Sequence, residues 1–284
     1  LHPAVSRDIE RTLHYGRRYF KVCPEFFIVK VPLTPEGYLA VRKLTQDNIP
    51  INFTLGFSAR QNYLAARLSN PDFVNVFLGR LNQVVIDHNA GSGDQVGEKV
   101  TLSTQNALIE ARKNHENVKS RLIGASVRNG EQVAFLAGLD VLTIPPKAIK
   151  EFQDSGKLTS EVLSNLDKEF VPGIDSSNKL AKRFPTLWEL PEKFISFVDG
   201  LINENGLNEM EGKDLVKICQ DHEIDLFHGF SESELQKIYD QGKIPCLENW
   251  PESIALDDLM TQSALQSFSK DQNALDDRIR SFIN

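Results

Sequence analysis

The chain has 284 residues, of which 40% are hydrophobic and 25% charged, an ordinary globular composition that excludes a disordered or fibrous protein. Residues 1–150 carry 19 Lys+Arg against 13 Asp+Glu, and residues 151–284 carry 13 against 26, so the formal net charge of −7 joins a basic half to an acidic one. An acidic total argues against nucleic acid as the main partner, no window approaches 18 uninterrupted apolar residues as a membrane span needs, and the basic half suits a small anionic ligand or is uneven solvated surface.

A helix is predicted from about Ser6 to Phe20, with Ile9, Leu13 and Phe20 on one side. The apolar run Phe26–Val31, ended by Pro32, reads as a buried strand. Thr34-Pro35-Glu36 places Thr at an N-cap and Pro at the first helical position, opening a helix to about Gln46. A strand at Ile49–Leu55 and a helix from about Ser58 follow. The next strand is Phe73–Leu78, with Gly91-Ser92-Gly93 in a long loop after it and a helix over Leu102–Asn114. The last strands are Arg121–Ala125 and Val141–Ile144, separated by a helix near Glu131–Ala137.

Such regular strand–helix alternation implies a parallel sheet flanked by helices, doubly wound or a barrel. No strand is followed by a glycine turn with dinucleotide-binding spacing, which disfavours the doubly wound cofactor fold. In a barrel, chemistry sits at the C-terminal ends of the strands. Polar residues gather there: Lys30, Asn52, Thr54, Asn75, Arg80, Ser126 and Arg128.

Beyond residue 155 the strand pattern stops. Leu158–Asp167, Pro191–Asn203, Glu211–Gln220 and Glu232–Asp240 read as helices, and Ala264–Asn284 carries Leu265, Phe268, Leu275, Ile279 and Ile283 at helical spacing. The expected division is a barrel-like unit over residues 1–155 and an acidic helical extension over 156–284. Helical patterning leaves open whether the extension packs on the barrel, caps it or mediates assembly.

Lys30 ends a strand whose other residues are apolar. Partial desolvation there would lower its pKa and leave a neutral amine able to attack a carbonyl, although a lysine at a strand end also snorkels to solvent. The surrounding segment Ile28-Val29-Lys30-Val31-Pro32-Leu33-Thr34-Pro35-Glu36-Gly37 resembles the Schiff-base lysine strand of the transaldolase family. Ile51–Ser58 (INFTLGFS), Phe73–Arg80 (FVNVFLGR), Gly124–Asn129 (GASVRN) and Leu142–Pro146 (LTIPP) are similar to that family's following strands, in order and spacing, and the stretch around Ser269–Gln272 to its C-terminal helix.

The resemblance implies a (β/α)₈ TIM barrel of which strands 4–8 are recognisable, acting as a transferase of the pentose phosphate pathway with no cofactor. Lys30 would form a Schiff base with a ketose, Asn52 would bond the hydroxyls of the bound dihydroxyacetone unit, and Thr54 would hold a water. Asn75 stands where the family usually has Ser. Arg80, Ser126 and Arg128 would grip the phosphate of a substrate of the fructose 6-phosphate, sedoheptulose 7-phosphate or erythrose 4-phosphate class. Phe77 stands where transaldolases carry Phe and the fructose-6-phosphate aldolase branch carries Tyr, which favours transfer over simple aldol cleavage. An aldolase of that branch and a non-catalytic sugar-phosphate or protein-binding barrel are the alternatives, and self-association stays open.

Leu1–Asp8 resembles the stretch directly after the family's third-strand Glu, and the first-strand Asp has no counterpart in residues 156–284; with no initiator Met, the chain is expected to be a fragment of a longer protein. Cys23, Cys219 and Cys246 are odd in number and far apart, fitting neither a disulfide framework nor a zinc pattern, so a reducing cytoplasm is expected. Leu1-His2-Pro3 has no signal-peptide character. His222 and His228 lie at a spacing that fits a solvated helix end better than a metal motif, and Trp188 and Trp250 read as packing anchors.

Overall fold

Four short side chains in the first half of the chain, Asp8, Thr34, Ser58 and Asn129, accept hydrogen bonds from backbone amides three residues on, and each opens an α-helix. In the computed structural model, which describes residues 1–283, Asp8 caps α1 (Ile9–Val22) by accepting from the Arg11 amide at 2.8 Å. Strand β1 (Val29–Pro32) then leads to α2 (Pro35–Gln46), where Thr34 Oγ1 accepts from the Gly37 amide at 3.0 Å. Strand β2 (Ile51–Thr54) leads to α3 (Ala59–Leu64), capped by Ser58 and prolonged by a π-helical turn over Ala65–Ser69. Strand β3 (Phe73–Phe77) passes directly into α4 (Leu78–Asp87), which is followed by α5 (Val96–Asn114). Strand β4 (Arg121–Ala125), α6 (Gly130–Phe135, capped by Asn129), the two-residue β5 (Val141–Leu142) and α7 (Pro146–Asp154) complete this half.

The five strands are all parallel and lie in sequence order, β1-β2-β3-β4-β5. A doubly wound sheet would reverse its strand order at a switch point; an order that never reverses belongs to a barrel wall. Burial agrees. Val29, Val31, Ile51, Phe53, Val74, Val76 and Leu122 form one face and are all buried, with α2 packed on β1 and β2 and α5 on β3 and β4. Each such side chain contributes roughly 1.5–3 kcal/mol by leaving water. The opposite face carries Lys30, Asn52, Thr54, Asn75 and Phe77, one residue out of phase, as period-two alternation requires. The fold is thus a five-stranded parallel part of a TIM-type barrel followed by an α-helical C-terminal region.

That region contains α8 (Glu192–Leu201), α9 (Gly212–Asp221), α10 (Glu232–Gln241) and α11 (Leu256–Ile283). Its attachment joins an apolar contact, such as Phe227 against Tyr38 with ring centroids 5.4 Å apart, to buried polar ones. Arg67 of the π turn pairs with Asp199 of α8 at 2.7 Å. Asp257 of α11 takes Arg60 Nε and Nη2 at 2.8 and 2.9 Å and the Ser58 hydroxyl at 2.6 Å. One turn on, the Thr261 hydroxyl donates to the Leu55 carbonyl at 2.9 Å. The acidic half therefore packs on the strand ends of the basic half, and Leu256–Leu265 is buried against them.

Several sequence expectations are corrected. Phe26, Phe27 and Ile28 are exposed and outside β1, because the amides of Phe26 and Phe27 both donate to the Cys23 carbonyl in the turn that ends α1. Residues 78–87 form α4 instead of ending a strand and entering a loop, so Arg80 lies in the first turn of a helix. Leu158–Asp167 has only a 3₁₀ turn at Thr159–Glu161. The Asn165 amide group bonds the Phe135 carbonyl, and the Leu166 carbonyl accepts from Asn106, which hold this stretch as a loop on α5 and α6. The last helix begins at Leu256, eight residues before the expected start, and α7 was not expected at all. Asn284, the last residue of that expected helix, lies outside the described residues.

Candidate functional site

The inward sheet face is layered by its register. Lys30 lies level with Asn52, and Asn52 with Phe73. Two residues further along, Pro32 pairs with Thr54, and continuing the β2–β3 register brings Thr54 level with Asn75, itself opposite Ile123. The next layer holds Phe77 opposite Ala125. Successive layers are about 6.6 Å apart along the strands, and neighbouring strands about 4.8 Å. Lys30, Asn52, Thr54, Asn75 and Phe77 therefore share one patch.

Polar atoms in this patch lack protein partners. Asn52 Oδ1, Thr54 Oγ1 and Asn75 Oδ1 are buried without a hydrogen bond, although Thr54 and Asn75 are only 4% and 3% exposed. Asn62 Oδ1 and Arg80 Nη1 are in the same state. A buried unpaired polar group costs about 1–3 kcal/mol, so such a concentration marks a place where another molecule supplies the bonds. Lys30 keeps solvent contact, as an attacking amine must, yet desolvation by its surroundings pushes its pKa below the usual lysine value.

A second cluster forms where β3 and β4 end. Gly79, the second residue of α4, packs so closely on the β4–α6 connection that a Cβ there would lie 2.5 Å from Arg128 Nε and 2.9 Å from Ser126 Oγ. Arg80 follows Gly79 in sequence, so Arg80, Ser126 and Arg128 converge. Burial lowers the Arg80 pKa, the like charge of Arg128 lowers it further, and Asp271 of α11 opposes both. A cavity of about 510 Å³ opens here, with Arg80, Arg128, Gly93, Asp94 and Lys243 among its lining residues. The Gly91–Gly93 loop joins that lining, and it is strapped in place by mutual amide bonds with Gly173 at 2.9 Å (from Gly93) and 2.7 Å (to Asp94).

The backbone is strained at two strand ends. Leu55, one residue past β2, has φ 67°, and Ser126, one residue past β4, has φ 69°. Non-glycine residues rarely adopt this left-handed conformation, and such strain clusters where side chains must be aimed. Arg128 is held by a buried relay: its amide donates to Gln132 Oε1 at 2.7 Å, and Gln132 Nε2 donates to Glu98 Oε1 at 2.8 Å. Asn82 closes the relay by donating to Glu98 Oε2 at 3.1 Å.

The structure thus gathers every sequence-identified site residue into two adjoining groups, one around Lys30 and one around Gly79. Sequence reasoning missed Asn62, whose side-chain amide donates to the carbonyls of Ser58 and Asn75 at 3.1 and 3.2 Å, bracing the start of α3 against β3. It also missed the Glu98–Gln132 relay and the aromatic contact that Phe268 makes with Arg80. The only signal for Asn62 was its place one turn after the Ser58 cap; nothing local marked the others. His222 and His228 do not join the site: His228 contacts Glu234 and stacks on Phe230, and His222 contacts the Ile218 carbonyl. Trp250 is buried and bonded to Gln241. Among the described residues, no helix is long and apolar enough to cross a membrane.

The fold and site define part of a TIM-type barrel wall with a partly desolvated lysine on its inward face and two arginines beyond the strand ends, and comparison with known proteins gives the family. The family profile described as Transaldolase/Fructose-6-phosphate aldolase matches residues 1–184, and the chain belongs to that family. It is 34% identical over 148 residues to a probable transaldolase of Hyphomonas neptunium, covering 51% of this chain and 61% of that protein. It is 32% identical over 168 residues to one of Nitrosopumilus maritimus, covering 58% and 68%. With one of Thermoplasma volcanium the identity is 38% over 125 residues, covering 43% and 49%. The chain therefore spans about half to two thirds of the length of these curated relatives.

Proposed function

We propose that this chain carries the Schiff-base and phosphate-binding part of a transaldolase-type site, which moves a dihydroxyacetone unit between sugar phosphates through Lys30. The observation that carries this reading is the coincidence of the unpartnered buried atoms of Asn52, Thr54 and Asn75 with the face that bears Lys30, next to the unpartnered Nη1 of Arg80 in the adjoining group. The neutral Lys30 amine attacks the ketose carbonyl carbon; after proton transfer, loss of water leaves an iminium ion. The hydroxyl on the β carbon passes its proton to the water held by Thr54, and the bond between the α and β carbons breaks. Its electron pair becomes the enamine C=C as the iminium π pair returns to nitrogen, and the β carbon departs as an aldehyde; the same water returns the proton when the acceptor is attacked. The resulting enamine attacks an acceptor aldehyde, and water then releases the product and regenerates the amine.

Asn52 and Asn75 present their side-chain oxygens to hydroxyl groups of the bound unit, and Thr54 holds the water. Arg80, Arg128 and Ser126 take the phosphate; guanidinium forks match its oxygens in geometry and charge. Phe77 beside the enamine offers no phenol to protonate it, which supports transfer to an acceptor over release of free dihydroxyacetone. A reducing cytoplasm is the setting that fits such substrates and the three free cysteines.

The test is reduction with borohydride in the presence of fructose 6-phosphate, followed by mass spectrometry of the peptide containing Lys30. The expected result is a reduced dihydroxyacetone adduct on Lys30 that Lys30→Arg abolishes. Absence of any adduct would sink the Schiff-base reading. Product analysis without an acceptor separates the activities: a transferase stalls after one turnover, whereas an aldolase keeps releasing dihydroxyacetone.

A further inference from the structure

Arg80 is held in an unusual way for a half-buried arginine. Among the described residues its guanidinium forms no ion pair, and its buried Nη1 has no hydrogen-bond partner. Two aromatic rings hold it instead. Phe77, the last residue of β3, has its ring centroid 6.0 Å from the Arg80 Cζ, and Phe268 of α11 has its centroid at 5.7 Å. Cation–π contacts restrain a guanidinium without consuming its N–H donors. Phe77 comes from the barrel, whereas Phe268 comes from α11, beyond residues 1–184 that the family profile matches.

We propose that Phe268 is a positioning residue for Arg80, and that α11 thereby forms one wall of the phosphate end of the site. This rests on the anion-binding reading of Arg80 given above. The placement of Phe268 is not loose. The preceding turns of α11, Leu256–Leu265, are buried, and Asp257 is locked to Arg60 and Ser58 by three hydrogen bonds. Phe268 follows Leu265 by one turn on the same helix face. Asp271, a further turn along, favours the arginine charge, and Arg128 repels it. With its faces covered and its edge donors unpaired, Arg80 points those donors at an anion, whose charge would relieve the repulsion between the two arginines. The terminal phosphate of a sugar phosphate is the ligand this arrangement fits.

The probe is inorganic phosphate, followed by NMR on the arginine Nε–Hε resonances of the full chain, with Arg80 assigned through Arg80→Lys. In the unaltered chain the Arg80 signal should lie in a ring-shifted position and move on phosphate addition. Phe268→Leu keeps apolar bulk but removes the π face. It should leave the thermal midpoint close to that of the parent, displace the Arg80 resonance and weaken phosphate binding about 5-fold, within the range of a partly desolvated cation–π contact. Phe268→Tyr should restore both readouts, which a merely structural role would not require. If phosphate moves the Arg80 signal but Phe268→Leu changes neither the signal nor the affinity, the positioning role is wrong and the anion site stands. If phosphate at tens of millimolar leaves the Arg80 signal of the parent unmoved, the anion-site reading fails and the positioning role fails with it.

Discussion

Replacing Asp257 by Ala removes the acceptor for Arg60 Nε, Arg60 Nη2 and the Ser58 hydroxyl at once. The side chain of Arg60 is 8% exposed and that of Asp257 fully buried, so water cannot take the place of the lost carboxylate. Burial alone would lower the Arg60 pKa, but the charge and hydrogen bonds of Asp257, joined by those of Asp225, more than offset it and hold the guanidinium charged. In the variant the charge stays buried with one partner left, the largely exposed Asp225 at 2.6 Å. Breaking one side of a buried pair costs about 3–5 kcal/mol, a large part of the 5–15 kcal/mol that holds a typical domain folded. At 2–4 °C per kcal/mol, the expected fall in Tm is roughly 6–20 °C. Urea unfolding at pH 7 measures the loss, and the double variant Arg60→Met with Asp257→Leu should recover most of it, because apolar replacement of both partners leaves no unpaired charge. A loss below about 1 kcal/mol for Asp257→Ala would refute the claim that this pair anchors the acidic helix to the barrel.

Asp258 supplies a pH test. Burial first, with the neighbouring Asp257 charge adding to it, pushes its carboxyl up to about 7, against the His228 amide, Gln262 and Arg7, which stabilise the anion. An unfolded aspartate titrates near about 3.9. The folded state thus binds the extra proton between these values, so its stabilising share is full below about pH 4 and lost as pH rises to 7. Asp258→Asn should flatten that slope, and parallel urea-midpoint profiles for parent and variant would count against it. Gly79→Ala should drive a Cβ into Arg128 Nε and the Ser126 backbone, lowering phosphate affinity about tenfold, a cost of about 1.4 kcal/mol; phosphate titration beside a Tm measurement checks it, and unchanged affinity argues against convergence at Gly79. Lys30, with its pKa pushed down by burial, should acylate at lower pH than the average of the other lysines. Competitive labelling read by mass spectrometry decides this, and a labelling midpoint equal to that average would remove the support for a neutral attacking amine.

What was legible in the chain was whatever local chemistry encodes. The cap at Thr34 announces α2 because a side chain that accepts from an amide three residues on needs no tertiary partner. The inward polar residues stood out because they interrupt apolar strands. Failures came where distant groups decided the outcome. The run Phe26–Ile28 looks like a strand, yet the Cys23 carbonyl claims its amides. Residues 158–167 have helical spacing, but Asn106 of α5 donates to the Leu166 carbonyl and Asn165 donates to the Phe135 carbonyl of α6, which hold the stretch as a loop. Arg80 was placed at a strand end because the passage from β3 to α4 leaves no turn residue to mark it.

By itself, the sequence determined a parallel strand–helix repeat, the five strands and the polar residues at the strands' C-terminal ends, because apolar runs, their polar interruptions and capping are written in neighbouring positions. Only the tertiary structure decided how the acidic half is used. Nothing in the helical spacing of residues 256–283 says that Asp257 meets Arg60 or that Phe268 covers Arg80, 197 and 188 positions away. Those contacts exist because a buried guanidinium must find a carboxylate or an aromatic face, and the folded chain brings both from its far end.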